Sequence, residues 1–551
     1  MIEDLKNIAD NKDEIYDRFH TDLTFGTAGL RGVLAAGSNR MNIYTVRRAS
    51  KGLADYLNSH YNNPCVAISF DSRIKSDIFA KEAAKVLAAN DIKVYIVKEL
   101  SPLPFLSFVV RFLKTQAGIM ITASHNPAQY NGYKCFGEDG SQLAGLAAAE
   151  VYSFMGKNDI FDIKTEDFDK AVSEKKIAYI EDAVKEEYLK AVYQQSINKD
   201  ACKRANLKVV YTPLNGAGNK FVRSILQRVG IQNVSVVKEQ ELPDGNFPTC
   251  RYPNPEVKEA LELAIIKAKK ENADIVIATD PDSDRIGIAV KKDEDYRFMT
   301  GNEVGIMLLE YILSQKKLKN TLPSRPFAVK TIVSTDLADK IAMNYGCELR
   351  EVLTGFKYIG EQILNLEKKN EEDRFVFGFE ESYGYLPGTY VRDKDAVVTA
   401  MLICEMASFF KLQGKTLVDF LNDLYLKYGF YKNTLLNFNF EGLGVFDKME
   451  NVMKNLRDKP LKEIAGYKVL KLADYSLSKE INLETKKEKN LSLPKSNVIS
   501  YYLENGNKVI IRPSGTEPKI KVYITAVGAN MDEAQKITEK ISAEISGTIK
   551  I

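Results

Sequence analysis

Short β-branched runs that restart after polar breaks leave this chain few folds to adopt. Cys65-Val66-Ala67-Ile68-Ser69-Phe70 reads as a strand, Phe79, Ala83, Val86 and Leu87 then share one helical face, and Lys93-Val94-Tyr95-Ile96-Val97 reads as a strand again. The pattern begins anew at Leu207-Lys208-Val209-Val210-Tyr211 and at Phe327–Val333, after polar segments near 198–205 and 315–324. Strands alternating with helices in this way predict α/β units with mostly parallel pairing. At 551 residues the chain is too long for one core, so each restart is read as a new domain. Beyond Gly429 the pattern changes: Thr434 to Phe440 alternates like an antiparallel strand, and residues 497–511 read as a hairpin around Glu504-Asn505-Gly506-Asn507. Residues 531–545 then place Ala534, Ile537, Ile541 and Ile545 on one helical face. The expected fold class is therefore α/β with a C-terminal α+β domain, divided as 1–203, 204–320, 321–430 and 431–551.

Four polar motifs interrupt this framework where apolar runs end. Gly118-Ile119-Met120-Ile121 reads as a buried strand that stops at Thr122-Ala123-Ser124-His125-Asn126-Pro127. A serine on such a loop is presented to solvent beside backbone N–H groups free to bind an anion, and Lys134 follows within reach. Ile275–Ala278 leads into Thr279-Asp280-Pro281-Asp282-Ser283-Asp284-Arg285, where three carboxylates fall at alternate positions. Clustered hard oxygen donors suit Mg²⁺ better than zinc, and without a cation they would repel one another. Lys508–Ile511 precedes Arg512-Pro513-Ser514-Gly515-Thr516-Glu517-Pro518-Lys519, where arginine, hydroxyls and glycine can cradle a phosphate. Arg374–Phe377 precedes Gly378-Phe379-Glu380-Glu381-Ser382-Tyr383-Gly384, whose acids and hydroxyls suit sugar hydroxyls or, equally, a helix cap. Near the start, Gly26-Thr27-Ala28-Gly29-Leu30-Arg31-Gly32 adds a further flexible anion loop.

In this order and combination the motifs resemble the α-D-phosphohexomutase superfamily, the phosphoglucomutase and phosphomannomutase enzymes, over essentially the whole chain. The resemblance implies three related α/β domains and a smaller fourth around a central cleft. It implies that Ser124 carries a phosphoryl group, passes it to a sugar monophosphate to give a bisphosphate, and recovers the other phosphate. It further implies Mg²⁺ held by Ser124, Asp280, Asp282 and Asp284, with glucose 1,6-bisphosphate as primer and intermediate. Lys134, Arg31 and His125 are implied near the proton transfers, which of Lys134 and His125 acts as base being open. Thr354, Gly355, Glu380, Ser382, Lys394, Arg285, Arg512, Ser514, Gly515 and Thr516 are implied as substrate-binding residues. The family commonly has glycines between the aspartates, where this chain has Pro281 and Ser283. The run Glu-Glu-Ser-Tyr-Gly-Tyr resembles the branch of bacterial α-phosphoglucomutases and phosphopentomutase-like members, so glucose phosphates are expected ahead of pentose or mannose phosphates.

Composition narrows the setting. Lys and Arg number 77 against 74 acidic residues, a net charge of +3, which argues against nucleic acid as a partner and for anion binding confined to a cleft. Six scattered cysteines without a CxxC pair read as free thiols. Three histidines, His20, His60 and His125, argue against a multi-histidine metal site. The start Met1-Ile2-Glu3-Asp4-Leu5-Lys6 lacks an apolar core, and Ala396–Phe410 is too short for a membrane span, so a cytoplasmic enzyme acting on small sugar phosphates is expected. The charged stretch Lys479–Lys489 reads as a solvated loop. A metal-dependent sugar phosphatase would also use clustered aspartates but leaves the Ser124 loop unexplained, and a non-catalytic sensor needs no nucleophile.

Overall fold

The structure is a computed structural model that describes residues 1–24, 29–440, 444–514 and 518–549. It divides into two compact units, one of residues 1–327 and 356–418, the other of residues 328–355 and 419–551.

The first unit opens with a six-stranded sheet of β1 (Gly29–Val33), β2 (Cys65–Phe70), β3 (Lys93–Ile96), β4 (Ala117–Ile121), β5 (Tyr130–Gly137) and β6 (Ile177–Tyr179), in the order β1-β5-β4-β2-β3-β6. The centre is parallel, but β5 runs antiparallel to both β4 and β1. The predicted helical face is real: Phe79, Ala83, Val86 and Leu87 of helix Ser76–Ala88 are buried. A second sheet holds β7 (Lys208–Thr212), β8 (Asn233–Val236), β9 (Ile275–Thr279), β10 (Ile286–Lys292) and β11 (Asp295–Met299), in the order β11-β10-β9-β7-β8. Again the central pairs are parallel, and β10 returns antiparallel to β9. Further along this unit, strand Phe375–Glu380 is paired antiparallel with Gly384–Leu386. The expectation of mostly parallel pairing therefore needs amending. Each of these sheets contains a strand that turns back on its predecessor, and the chain between the two strands carries one of the polar motifs.

In the second unit, strand Glu348–Val352 neighbours strand Phe327–Thr331, whose first residue lies at the unit boundary. An antiparallel sheet follows, in the order Phe430–Asn439, Lys519–Gly528, Lys508–Pro513, Ile499–Leu503, Tyr467–Asp474, Lys479–Asn482, Glu488–Asn490. Ile499–Leu503 and Lys508–Pro513 form the expected hairpin, whose turn residues Asn505 and Gly506 both have positive φ. Helix Met531–Ile549 lays Ala534, Ile537, Ile541 and Ile545 onto buried positions, as its periodicity requires. The stretch Lys479–Lys489 is not a loop. It is an exposed hairpin, with the Lys479 Nζ to Glu488 Oε2 pair at 2.6 Å.

Candidate active site

Ser124 lies early in the connection between β4 and β5 with φ at +53°, a conformation that residues other than glycine rarely adopt. The left-handed bend aims its Oγ at Asp280 Oδ2, 2.9 Å away across 156 residues of chain. The Ser124 amide donates to Thr122 Oγ1 at 2.8 Å, and Thr122 Oγ1 donates in turn to Asp71 Oδ2 at 2.6 Å and Asp282 Oδ2 at 3.2 Å. His125 Nδ1 lies 3.2 Å from Ser124 Oγ. Burial, with Arg285 and Arg31 adding their positive charge, pushes the His125 imidazole well below its usual pKa and keeps it neutral.

Asp280, Asp282 and Asp284 fill the turn between β9 and β10, and one oxygen from each lies within 4.8 Å of the others. All three are buried. Burial and the two neighbouring aspartates raise Asp280 well above the ordinary carboxylate range. Burial works in the same direction on Asp282, yet the Lys134 ammonium 2.9 Å from its Oδ2 holds it low. Lys394 stands 2.9 Å from Asp284 Oδ2 and 3.2 Å from Asp393 Oδ1. Asp282 Oδ1 and Asp284 Oδ1 are buried without a hydrogen-bond partner among the described residues. Buried carboxylate oxygens left without donors are costly, and a hard divalent cation satisfies both at once. The donor set therefore fits Mg²⁺.

Arg285 extends from the same turn, its Nη1 2.7 Å from Glu256 Oε1. Glu380 closes strand Phe375–Glu380 as a buried carboxylic group whose pKa burial raises. Ser382 follows in the turn, beside Tyr383 at φ +63°. Arg31 on β1 reaches the serine loop through Nη1 to Asn126 Oδ1 at 3.2 Å. Ser124, His125, Lys134, Arg31, the three aspartates, Arg285 and Lys394 are thus linked through contacts around one acid cluster.

The second unit holds the remaining expected residues. Gly355 adopts φ +122° beside Thr354, whose buried Oγ1 has no partner among the described residues. Arg512 lies on strand Lys508–Pro513 opposite Lys521, and the Ser514 amide donates to Lys519 O at 2.8 Å. Gly515 and Thr516, like Gly26 to Ala28, lie outside the described residues. Sequence reasoning passed over Asp71, Arg73, Glu256 and Asp393. Asp71-Ser72-Arg73 interrupts an apolar strand just as the serine loop does, and Asn254-Pro255-Glu256 is a turn signal carrying an acid, so both left a trace.

Known proteins resemble the chain over nearly its whole length. The three phosphoglucomutase/phosphomannomutase alpha/beta/alpha domain models match residues 22–160, 186–293 and 300–428, and the family's C-terminal domain model matches 452–543. The chain belongs to the phosphoglucomutase/phosphomannomutase family, the α-D-phosphohexomutases, and is an isomerase. It is 37% identical over 533 residues to a phosphoglucomutase of Staphylococcus saprophyticus, covering 96% of this chain and 95% of that one. To a Staphylococcus aureus phosphoglucomutase (strain MSSA476) it is 38% identical over 546 residues, 98% and 96% of the two chains. In fold it is similar to a putative phosphomannomutase from Thermus thermophilus (TM-score 0.70, 22% identity, covering 94% and 99%). It is also similar in fold to the parafusin of Paramecium (TM-score 0.70, 16% identity, covering 96% and 95%). No helix among the described residues is long and apolar enough to cross a membrane.

Proposed function

We propose that the chain interconverts glucose 1-phosphate and glucose 6-phosphate through a phosphoryl group carried on Ser124 and a glucose 1,6-bisphosphate intermediate. The observation that carries this reading is Ser124 itself: a strained, left-handed serine with its Oγ 2.9 Å from the first carboxylate of the acid cluster. In the forward half-reaction the bond from phosphorus to Ser124 Oγ breaks and a bond from phosphorus to a sugar oxygen forms. We assign the proton's path to the neutral His125 imidazole, which takes up the sugar hydroxyl's proton at one ring nitrogen and gives one to Ser124 Oγ from Nδ1, 3.2 Å away, with Lys134 offsetting charge on Asp282.

Asp280, Asp282 and Asp284, together with Ser124, would hold Mg²⁺, which when bound supplies neutralisation of the charge developing at the serine oxygen. Arg285 and Lys394 would take phosphate or sugar oxygens, Glu380 and Ser382 the sugar hydroxyls. Thr354, Gly355, Arg512, Ser514, Gly515 and Thr516 would bind the rest of the substrate, and the four domains would divide at about 203, 320 and 430. A cytoplasmic setting completes the reading. Staphylococcal relatives named as phosphoglucomutases support glucose over pentose or mannose. The test compares kcat/KM for the 1-phosphates of glucose, mannose and ribose with Mg²⁺ and bisphosphate primer. Glucose should lead. A lead for ribose would keep the serine chemistry and overturn the sugar.

A further inference from the structure

Arg73 lies on the loop after β2, and its side chain is fully buried. Its two terminal nitrogens donate to one neighbouring segment. Nη1 donates to Pro127 O at 2.9 Å and Tyr130 O at 3.1 Å, and Nη2 donates to Ser124 O and Asn126 O. A guanidinium is a rigid planar fork, so four carbonyls converging on one fix the loop that supplies them. Nε faces Asp71 Oδ2 at 3.5 Å, and Asp71 is the carboxylate that accepts from Thr122, the acceptor for the Ser124 amide. Both backbone polar groups of Ser124 are therefore tied, directly or through one hydroxyl, to the Asp71–Arg73 pair.

This tie has a direction. In a trans peptide the C=O and the following N–H point to opposite sides. Drawing the Ser124 and Pro127 carbonyls onto Arg73 turns the His125 and Ala128 amides to the other side of the loop. The cover over Arg73 comes from the second sheet's side of the unit: the Phe247 ring lies 5.1 Å from the guanidinium carbon, at φ +47°. Gly245 is pressed onto the same loop, since a β-carbon there would stand 2.8 Å from both Arg73 C and Ser72 O.

We infer that Arg73, covered by Phe247, is a positioning residue for phosphoryl transfer, holding the nucleophile's loop in its left-handed conformation with its amides turned outward. This rests on the serine chemistry proposed above. The test uses Arg73→Lys, whose single nitrogen has three donors and does not span four carbonyls, and Phe247→Leu, which keeps apolar bulk and loses the ring. Each full-length protein is charged with glucose 1,6-bisphosphate, its phosphoserine content is measured by mass spectrometry, and transfer to glucose 1-phosphate is followed in a single turnover per phosphoserine. Arg73→Lys should slow transfer about 10²-fold per charged site, with KM changed by less than about three-fold. Phe247→Leu should slow it about three-fold or more. A per-site rate equal to wild type, with only Tm or the charged fraction lowered, would mean a purely structural role and overturn the inference. If Arg73→Lys does not fold, Phe247→Leu decides by the same rate. Wild-type protein that takes up no phosphoserine overturns the mutase reading and this inference together; wild-type turnover matched by both variants overturns the inference alone.

Discussion

Ser124, Ser283 and Tyr383 each occupy left-handed backbone, at φ +53°, +51° and +63°, in the three turns that carry the serine, the three aspartates and Glu381 with Ser382. Such a residue costs on the order of 1–3 kcal/mol, so each turn is held by what surrounds it. For Ser283 the surroundings are its own amide to Asp280 O at 2.9 Å and its carbonyl accepting from Ala396 N at 3.2 Å, while its Oγ is buried without a partner among the described residues. Ser283→Gly removes the backbone penalty and the unsatisfied hydroxyl together, and should raise stability by about 1 kcal/mol in denaturant melts. Ser124→Ala should lower turnover by more than about 10⁴-fold and leave no phosphoserine, whereas a phosphatase using an aspartyl nucleophile would keep most of its rate. Ser124 and the three aspartates were legible because each closes an apolar run with a polar motif of recognisable chemistry. Arg73 and Glu256 were not, because what they do depends on partners 51 and 29 residues away that only the fold brings near.

The turns share one place in their sheets, between a strand and the antiparallel strand that returns beside it. Sequence periodicity did not reveal the reversal: Ile286 to Val290 is buried at every position, and such a run reads the same in either direction. Lys479–Lys489 escaped for the opposite reason, since an exposed polar hairpin shows no apolar alternation at all. Helix Gly301–Leu318 begins hard against the turn Glu381–Tyr383. A β-carbon on Gly301 would stand 2.8 Å from Glu381 C and 2.9 Å from Tyr383 N, and Tyr385 OH donates to Gly301 O at 3.0 Å. Gly301→Ala should therefore cost about 1–3 kcal/mol and raise KM for glucose 1-phosphate several-fold by displacing Glu381 to Tyr383. Thr300→Ala removes only the capping box with Glu303, at about 1 kcal/mol, and should leave KM alone. The pair of variants separates helix stability from sugar contact.

At the scale of the molecule, the α/β class was legible from the restarts of apolar runs, but the charges buried between elements were not. Lys330 is fully buried among Asp336, Asp339 and Glu351 at 2.7–3.1 Å, and Lys508 reaches Asp336 Oδ1 at 2.6 Å. Partial burial alone would raise Asp336, but the two ammonium groups bring it down to about 2. A carboxylate depressed in the fold stabilises it above its ordinary value near 4 and loses that contribution as pH falls towards 2. The second unit should lose on the order of 1–2 kcal/mol over that window, and Asp336→Asn should flatten the loss in urea melts at pH 4 and pH 2.5. Removal of divalent metal by a chelator should abolish turnover while shifting Tm by only a few degrees, because Lys134 and Lys394 already stand against Asp282 and Asp284 and leave paired charges behind. Turnover should return on adding Mg²⁺, with no refolding step. The two lysines thereby uncouple abundance from output: a cell short of magnesium would slow this enzyme without sending it to its proteases, and would recover the full rate as soon as the ion returned.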